Sequence, residues 1–188
     1  MIRPQLLELL REPVASDDKY SRGVAGFVTG SIAYPGAAIL GVTAAMRCGI
    51  GLVRYVGPRE VGELLLLSRP EAVLQDGRAD AWVLGSGIAE QHESLQQHLQ
   101  AATIAVVDAG AISFLYLAQA PTRTVLTPHA GELATLLSTL GVNTDRRTVE
   151  SRPQESALEA AKLTGCAVLL KGNTSYLVTP EGESRVFE

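Results

Sequence analysis

The sequence predicts an α/β protein built on a mostly parallel sheet. Short β-branched or leucine-rich runs alternate with longer segments of helical period along its 188 residues, a pattern typical of strands joined by crossover helices. Aromatic residues make up only 5% of the chain while Ala, Leu, Val and Gly are plentiful, which favours helices packed closely on a sheet over a β-sandwich. The length suffices for one sizeable core.

Each element is indicated by its own local pattern. Gly26–Thr29 is an apolar run ended by a glycine turn, and small apolar residues then recur from Ala37 to Cys48 at near-helical spacing. Further strands are predicted at Leu52–Val56, Ala81–Leu84, Thr103–Val107, Thr124–Leu126, Ala167–Lys171, Tyr176–Val178 and Arg185–Phe187. Further helices are predicted at Arg59–Leu67, Glu93–Gln100, Ala111–Leu117, Glu132–Leu137 and Gln154–Thr164, with Asn143–Arg147 as a loop.

Composition excludes several classes of protein. A net charge of −4 without a Lys/Arg cluster argues against a nucleic-acid partner. No apolar run approaches the ~20 residues of a membrane span, and the N-terminus lacks a signal-peptide profile. The two cysteines, Cys48 and Cys166, lie in apolar stretches and are expected to be buried thiols in a reducing compartment, which favours the cytoplasm.

Glycine-containing turns follow several predicted strands, at Gly30-Ser31, Gly85-Ser86-Gly87 and Lys171-Gly172-Asn173-Thr174-Ser175. Glycine lets backbone N–H groups approach a phosphate, and the carboxyl ends of parallel strands form the crevice where ligands bind. These turns therefore suggest an extended phosphate-bearing ligand, although glycine after a strand is also ordinary turn chemistry. Neither the dinucleotide fingerprint nor the P-loop pattern is complete.

Polar residues at the same strand ends are candidates for ligand contacts. Asp108 follows a buried strand and is either a ligand contact or an N-cap. His129 could bond a phosphate or ribose, and Glu132 could hold a Mg²⁺-bound water or only complement its helix N-terminus. Lys171 ends an apolar strand, where it either meets an anion or extends to solvent. His98, on a polar helix, is expected to be solvated, and Trp82 to belong to the core.

The order and spacing of six segments resemble a known family. The segments are Lys19–Gly23, Tyr34–Ala38, Gly85–Ile88, Val107–Ala109, Thr127–Glu132 and Leu170–Gly172. They resemble the ADP/ATP-dependent NAD(P)H-hydrate dehydratases of the ribokinase-like superfamily, from about Lys19 to the end of the chain. The resemblance implies a three-layer α/β/α sandwich, and removal of water from the (S) epimer of hydrated NADH or NADPH with ADP or ATP and Mg²⁺. It also implies a homo-oligomer, since related enzymes form oligomers and often tetramers.

The resemblance assigns roles to particular residues. It makes Ala37, Gly87 and His129 substrate contacts, and it puts Glu132 near Mg²⁺ and the phosphates. Asp108 joins the substrate site through its position at a strand end. The adenine nucleotide is assigned to Lys171, Gly172, Asn173, Thr174 and Ser175.

The resemblance also sets expectations about the ends of the chain. The family's glycine-rich Gly-Asp segment, with the catalytic aspartate, would follow Phe187, so we expect that residue beyond Glu188 and a chain that is C-terminally truncated and nearly inactive alone. Residues 1–18 are expected to form a linker and short helix, and residues 19–188 the dehydratase domain. An epimerase domain upstream is possible.

Two other functions stay open on the sequence alone. A ribokinase-like kinase acting on a vitamin precursor would share the fold and nucleotide site, although many such kinases would have asparagine where His129 stands. A non-catalytic nucleotide-binding module is the other alternative.

Overall fold

In the computed structural model, which describes residues 12–88, 90, 93–114, 117, 120, 121 and 123–188, eight strands form one sheet in the order β2-β1-β3-β4-β5-β6-β7-β8. The six strands from β1 to β6 are parallel, and β7 and β8 add an antiparallel edge. The predicted mostly parallel α/β sheet is thus confirmed. The strands are β1 (Val24–Val28), β2 (Leu52–Tyr55), β3 (Ala81–Leu84), β4 (Ile104–Val107), β5 (Thr124–Leu126), β6 (Ala167–Leu170), β7 (Ser175–Val178) and β8 (Ser184–Phe187).

Seven helices occur in the described part of the chain: α1 (Pro35–Arg47), α2 (Arg59–Ser68), α3 (Glu93–Ala101), α4 (Gly110–Phe114), α5 (Ala130–Thr139), α6 (Arg146–Ser151) and α7 (Pro153–Thr164). All but α6 were predicted. The prediction of a loop at Asn143–Arg147 is wrong at its end, because α6 begins at Arg146. The N-cap of α6, Asp145, accepts a hydrogen bond from the Thr148 N–H at 2.8 Å. Residues 1–11 of the predicted N-terminal segment lie outside the described residues.

The helices pack on both faces of the sheet, but over different strands. Ala25 and Phe27 of β1 belong to a core cluster shared with α1, α2 and β2. Trp82 and Leu84 of β3 belong to a second cluster, shared with residues of the helices from α3 to α7. The change of face agrees with topology. From β1 through β2 to the isolated parallel bridge between Arg54 and Val73 the chain advances in one direction along the sheet, and from β3 to β6 it advances in the other. Right-handed crossovers in opposite directions place their helices on opposite faces.

The two faces of the central strands are buried to different degrees. Ala105, Val107, Leu126 and Val168 point to one face and are fully buried. Their neighbours on the opposite face, Ile104, Val106, Val125 and Leu169, are only partly buried. Helix packing is therefore densest on the face that carries α3 to α7.

Two expectations about individual side chains are wrong. Cys48, at the end of α1, is exposed, whereas Cys166 is buried as expected. His98 is also buried: Nδ1 lies 2.5 Å from the Ser94 carbonyl oxygen and Nε2 lies 3.1 Å from Asp76 Oδ1. Its ring centroid is 4.0 Å from that of Trp82, which lies in the core as predicted. The burial of His98 could not be predicted from the polar sequence of its helix, because its partner Asp76 comes from a loop that is distant in the chain.

In the described part of the chain, no helix is long and apolar enough to cross a membrane.

Gly85 offers a test of how tightly the strand ends pack. Its φ is +101°, and a Cβ there would lie 2.3 Å from the Asp108 carbonyl oxygen and 2.2 Å from Ala111 Cβ. We expect Gly85→Ala to lower the free energy of unfolding by about 3 kcal/mol, because the substitution adds backbone strain to overlap with fixed atoms. Urea denaturation measures the effect.

The matched control is Gly36→Ala, on α1, where an added Cβ would meet nothing within 4 Å. Alanine is the better helix former, so the control should be neutral or slightly stabilising. Equal stabilities of the two variants would contradict the packing described for Gly85.

Candidate functional site

Asp108, directly after β4, joins the carboxyl ends of neighbouring strands. Its Oδ1 accepts hydrogen bonds from Lys171 Nζ at 2.6 Å and from Thr127 Oγ1 at 2.8 Å. Its Oδ2 accepts from Ser86 Oγ at 2.9 Å. Ser86, Asp108, Thr127 and Lys171 follow β3, β4, β5 and β6, so one carboxylate ties four adjacent strand ends together. We call these four residues the strand-end cluster.

The cluster keeps Asp108 charged. Burial raises the pKa of the Asp108 carboxyl, but the hydrogen bonds from Lys171 and Thr127, the charge of Lys171 and the hydrogen bond from Ser86 together hold that pKa below its ordinary value of 3.8. The Asp108 side chain is 19% exposed, against 44% for Lys171. The ammonium thus reaches the solvent-facing cleft while one of its three N–H groups is held by the carboxylate.

His129 lies beside Lys171 and begins α5. The Lys171 N–H donates to the Pro128 carbonyl at 2.8 Å, and His129 and Lys171 form a parallel bridge. His129 Nδ1 accepts from the Glu132 N–H at 3.1 Å, while Glu132 Oε2 accepts from the His129 N–H at 2.8 Å. This capping box fixes both side chains, and since Nδ1 accepts, a neutral His129 carries its proton on Nε2.

These contacts bear on the alternatives that the sequence left open. Glu132 does complement a helix N-terminus, within the capping box. The bonds recorded for the Asp108 carboxylate come from Lys171, Thr127 and Ser86 side chains, so this carboxylate serves as a junction between strands. Lys171 extends toward solvent, and its ion pair with Asp108 fixes the direction of its side chain.

A cavity of about 580 Å³ opens beside Lys171 and His129. The turn Gly172-Asn173-Thr174 forms one wall, and Ser175 supports this turn by donating from Oγ to the Gly172 carbonyl at 3.4 Å. The other lining residues are Ala130, Arg146, Val149, Glu150, Pro153, Leu170 and Tyr176. We call this space the lysine cavity. Its size suits a mononucleotide.

Ala37 and Gly87 meet on the other side of the cluster, where the strand order reverses between β1 and β3. A Cβ on Gly87, whose φ is +73°, would lie 2.6 Å from Ala37 Cβ and 3.3 Å from Gly30 Cα. The Gly30 N–H donates to the Ser86 carbonyl at 2.7 Å. Such a reversal is where open α/β sheets bind ligands. A second cavity of about 650 Å³ opens here, lined by Val28, Gly30, Ser31, Ile32, Ala33, Val56, Gly57, Pro58, Ile88, Glu90 and Ser94.

The structure therefore gathers the predicted residues into two neighbouring groups. His129 and Lys171–Thr174 line the lysine cavity, whereas Glu132 and Ser175 only contact lining residues, His129 and Gly172. Ala37 and Gly87 lie near the second cavity, and Asp108 lies between the two groups. Sequence reasoning missed Arg146 and Glu150 of α6. The Asp-x-x-Thr capping pattern at Asp145 and Thr148 was the available signal for that helix.

Among the described residues, no group of three or more His, Cys, Asp or Glu side chains could hold a metal ion. Mg²⁺ is commonly bound by one or two carboxylates with substrate phosphates and water completing its shell. Glu132, 22% exposed at the edge of the cleft, fits the role of one such carboxylate. The described residues form no dedicated metal site.

The parallel sheet with its antiparallel edge and strand-end cavities defines an open α/β protein of ribokinase-like fold, as expected. The family model Carb_kinase, described as NAD(P)H-hydrate dehydratase, matches residues 25–188. The chain therefore belongs to the NAD(P)H-hydrate dehydratase family.

Individual relatives agree with this assignment. The chain is 39% identical over 185 residues to a bifunctional NAD(P)H-hydrate repair enzyme Nnr of Corynebacterium glutamicum, covering 88% of this chain and 32% of the relative. It is 32% identical to an ADP-dependent (S)-NAD(P)H-hydrate dehydratase of Xanthomonas campestris, covering 90% and 65%. The chain thus spans about a third of the bifunctional relatives and about two thirds of the single-function ones.

A solved structure matches the architecture. The ADP/ATP-dependent NAD(P)H-hydrate dehydratase of Bacillus subtilis, co-crystallised with ATP and Mg²⁺, superposes with a TM-score of 0.78 at 28% identity, over 93% of this chain and 67% of that one.

The charge of Asp108 should contribute to stability in a pH-dependent way. Because its pKa in the folded protein lies below the ordinary 3.8, this contribution is fully present above that pH and is lost as the pH falls through the lower, folded value. We expect Asp108→Asn to cost ~1–2 kcal/mol at neutral pH. The difference from wild type should shrink as the pH falls below the ordinary value.

Denaturant unfolding of both proteins across the acidic range measures this dependence. Glu159→Gln, at an exposed position of α7, controls for the loss of one carboxylate. A difference between Asp108→Asn and wild type that stays constant from neutral to acidic pH would contradict the assigned role.

Proposed function

We propose that this chain forms the nucleotide- and substrate-binding part of an ADP- or ATP-dependent (S)-NAD(P)H-hydrate dehydratase, an enzyme of metabolite repair. One observation carries the proposal: in a member of this family, Lys171–Thr174 and His129 meet at one cavity of about 580 Å³. Relatives named for this reaction, and a relative crystallised with ATP and Mg²⁺, support it.

The two neighbouring groups of residues suit the two ligands of such a reaction. Lys171, with its remaining N–H donors, and the Gly172–Ser175 turn would hold the nucleotide's phosphates. Ala37 and Gly87, which approach each other closely, and His129, which lies beside Lys171, would contact the substrate. In our proposal Asp108 serves this site by holding Lys171 between the two groups.

The reaction needs the substrate's ring hydroxyl to meet the nucleotide's terminal phosphate. The hydroxyl oxygen bonds to phosphorus as the bond to the nucleotide breaks, and phosphate then leaves with that oxygen while the ring loses a proton and regains its double bond. The net change converts the hydrate to NADH or NADPH and the nucleotide to its next lower phosphate plus inorganic phosphate. Mg²⁺, bound with the nucleotide's phosphates, would neutralise their charge.

The base for the hydroxyl proton is not provided by the carboxylates of the strand-end edge that the structure describes. Asp108 is paired with Lys171, and Glu132 accepts the His129 N–H. We propose that the base is an aspartate of the family's Gly-Asp segment, as the resemblance implies.

The proposal extends to the setting of the enzyme. We propose action in the cytoplasm, in agreement with two free cysteines, and assembly as a homo-oligomer such as a tetramer. Exposed Leu40 on α1 and exposed Leu64 and Leu67 on α2 support self-association. An epimerase domain or partner is proposed by analogy with the relatives named bifunctional.

Replacing Lys171 tests the nucleotide site. We expect Lys171→Gln to weaken ADP binding by roughly thirtyfold, since a charge-assisted contact to phosphate is lost, while the amide can still bond Asp108. Lys162→Gln, at an exposed position of α7, should bind like wild type. Isothermal titration calorimetry measures both affinities.

An activity assay tests the reaction itself. The protein that contains this chain, given the hydrated dinucleotide, ADP and Mg²⁺, should restore the absorbance of the dihydropyridine and release phosphate in equal amounts. Accumulation of a stable phosphorylated alcohol from a vitamin precursor, without this recovery, would instead identify a kinase. Absence of ADP binding by the wild-type chain would contradict the nucleotide site.

A further inference from the structure

One helix that lines the lysine cavity has no role in the scheme above. This helix is α6, which contributes Arg146, Val149 and Glu150 to the lining. Arg146 is therefore a second cation on the same cavity as Lys171. Because the sequence predicted a loop at this position, Arg146 was not among the predicted site residues.

The position of Arg146 is set by the backbone of α6. Asp145 caps the helix, with Oδ1 accepting from the Thr148 N–H at 2.8 Å and from Thr148 Oγ1 at 2.7 Å. Val149, one turn further, is fully buried in the main core cluster. The cap and the buried anchor bracket Arg146, so the Cα from which its side chain extends is fixed relative to the cavity.

The guanidinium is also oriented. Arg146 Nε donates to Glu150 Oε1 at 2.7 Å, which uses one of the five N–H groups of the side chain. The structure records no partner for the two Nη groups among the described residues. Because the Arg146 side chain is 72% exposed, the ion pair itself adds little stability, but it limits the directions in which the Nη groups point.

The lining of the cavity combines apolar and charged side chains. Val149, Pro153, Leu170 and Tyr176 supply apolar and aromatic surface, which suits a base. The cationic donors are Lys171 and Arg146, and each is paired with a carboxylate. Recognition of an anion here therefore depends on the N–H groups of Lys171 and Arg146 that do not bond a carboxylate. A guanidinium can donate two coplanar N–H groups to one phosphate.

We propose that Arg146 binds the phosphate chain of the nucleotide, with Glu150 orienting its guanidinium. The inference rests on the proposed function, because it places the nucleotide in the lysine cavity. It adds a binding residue from α6 to the Lys171–Ser175 turn, so that two separate elements of the fold hold the phosphates.

The experiment compares two neighbouring arginines with two ligands. Arg146→Gln removes the charge at the cavity, whereas Arg147→Gln removes the same charge one residue on, at an exposed position that does not line it. Calorimetry or ligand-observed NMR gives the affinities of each variant and of wild type for ADP and for adenosine, which lacks phosphate. Circular dichroism checks that each variant is folded.

We expect Arg146→Gln to weaken ADP binding by roughly tenfold, the loss of one charge-assisted hydrogen-bonding contact, and to leave adenosine binding unchanged. Arg147→Gln should match wild type for both ligands. Equal losses for ADP and adenosine, or equal ADP affinities of the two variants, would overturn the role of Arg146 and leave the proposed function in place. Wild-type chain that fails to bind millimolar ADP would overturn both.

Discussion

The ion pair between Asp108 and Lys171 fixes the carboxyl ends of the strands, where the candidate site lies. The two residues are 63 positions apart in the chain, and their side chains meet at 2.6 Å only because β4, β5 and β6 are adjacent and in register. Thr127 and Ser86 bond the same carboxylate, so the ends of four strands share one charge. A carboxylate in this partly buried position is stable because it has several donors, and the loss of any donor would leave part of its charge uncompensated.

The same cluster links the two cavities. The Gly30 N–H bonds the Ser86 carbonyl, the Ser86 hydroxyl bonds Asp108, and Asp108 bonds Lys171. A continuous set of hydrogen bonds thus runs from the glycine turns after β1 and β3 to the turn after β6. In the proposed reaction, in which two ligands must meet, such a connection would hold their two sites at a set distance. Gly85 lies in the same turn after β3, where a Cβ would overlap the Asp108 carbonyl.

Much of this could be predicted from the sequence, because strands and most helices are local patterns of hydrophobic and turn residues. The strand-end location of Asp108, His129 and Lys171 followed from those patterns. The partners of Asp108 could not be predicted, since they depend on the order of strands in the sheet. Helix α6 was missed because it is six residues long and is defined by a cap and one buried valine. His98 was misjudged for a related reason, since its partner Asp76 comes from a distant loop.

The most direct test of the account is a crystal structure of the chain grown with ADP. The account predicts phosphate oxygens within hydrogen-bond distance of Lys171 Nζ and the Arg146 guanidinium, the base against Val149, Pro153 and Tyr176, and Asp108 still bonded to Lys171. ADP bound instead in the cavity at Gly30 and Ile88, or Lys171 released from Asp108 and pointing away from the nucleotide, would contradict it.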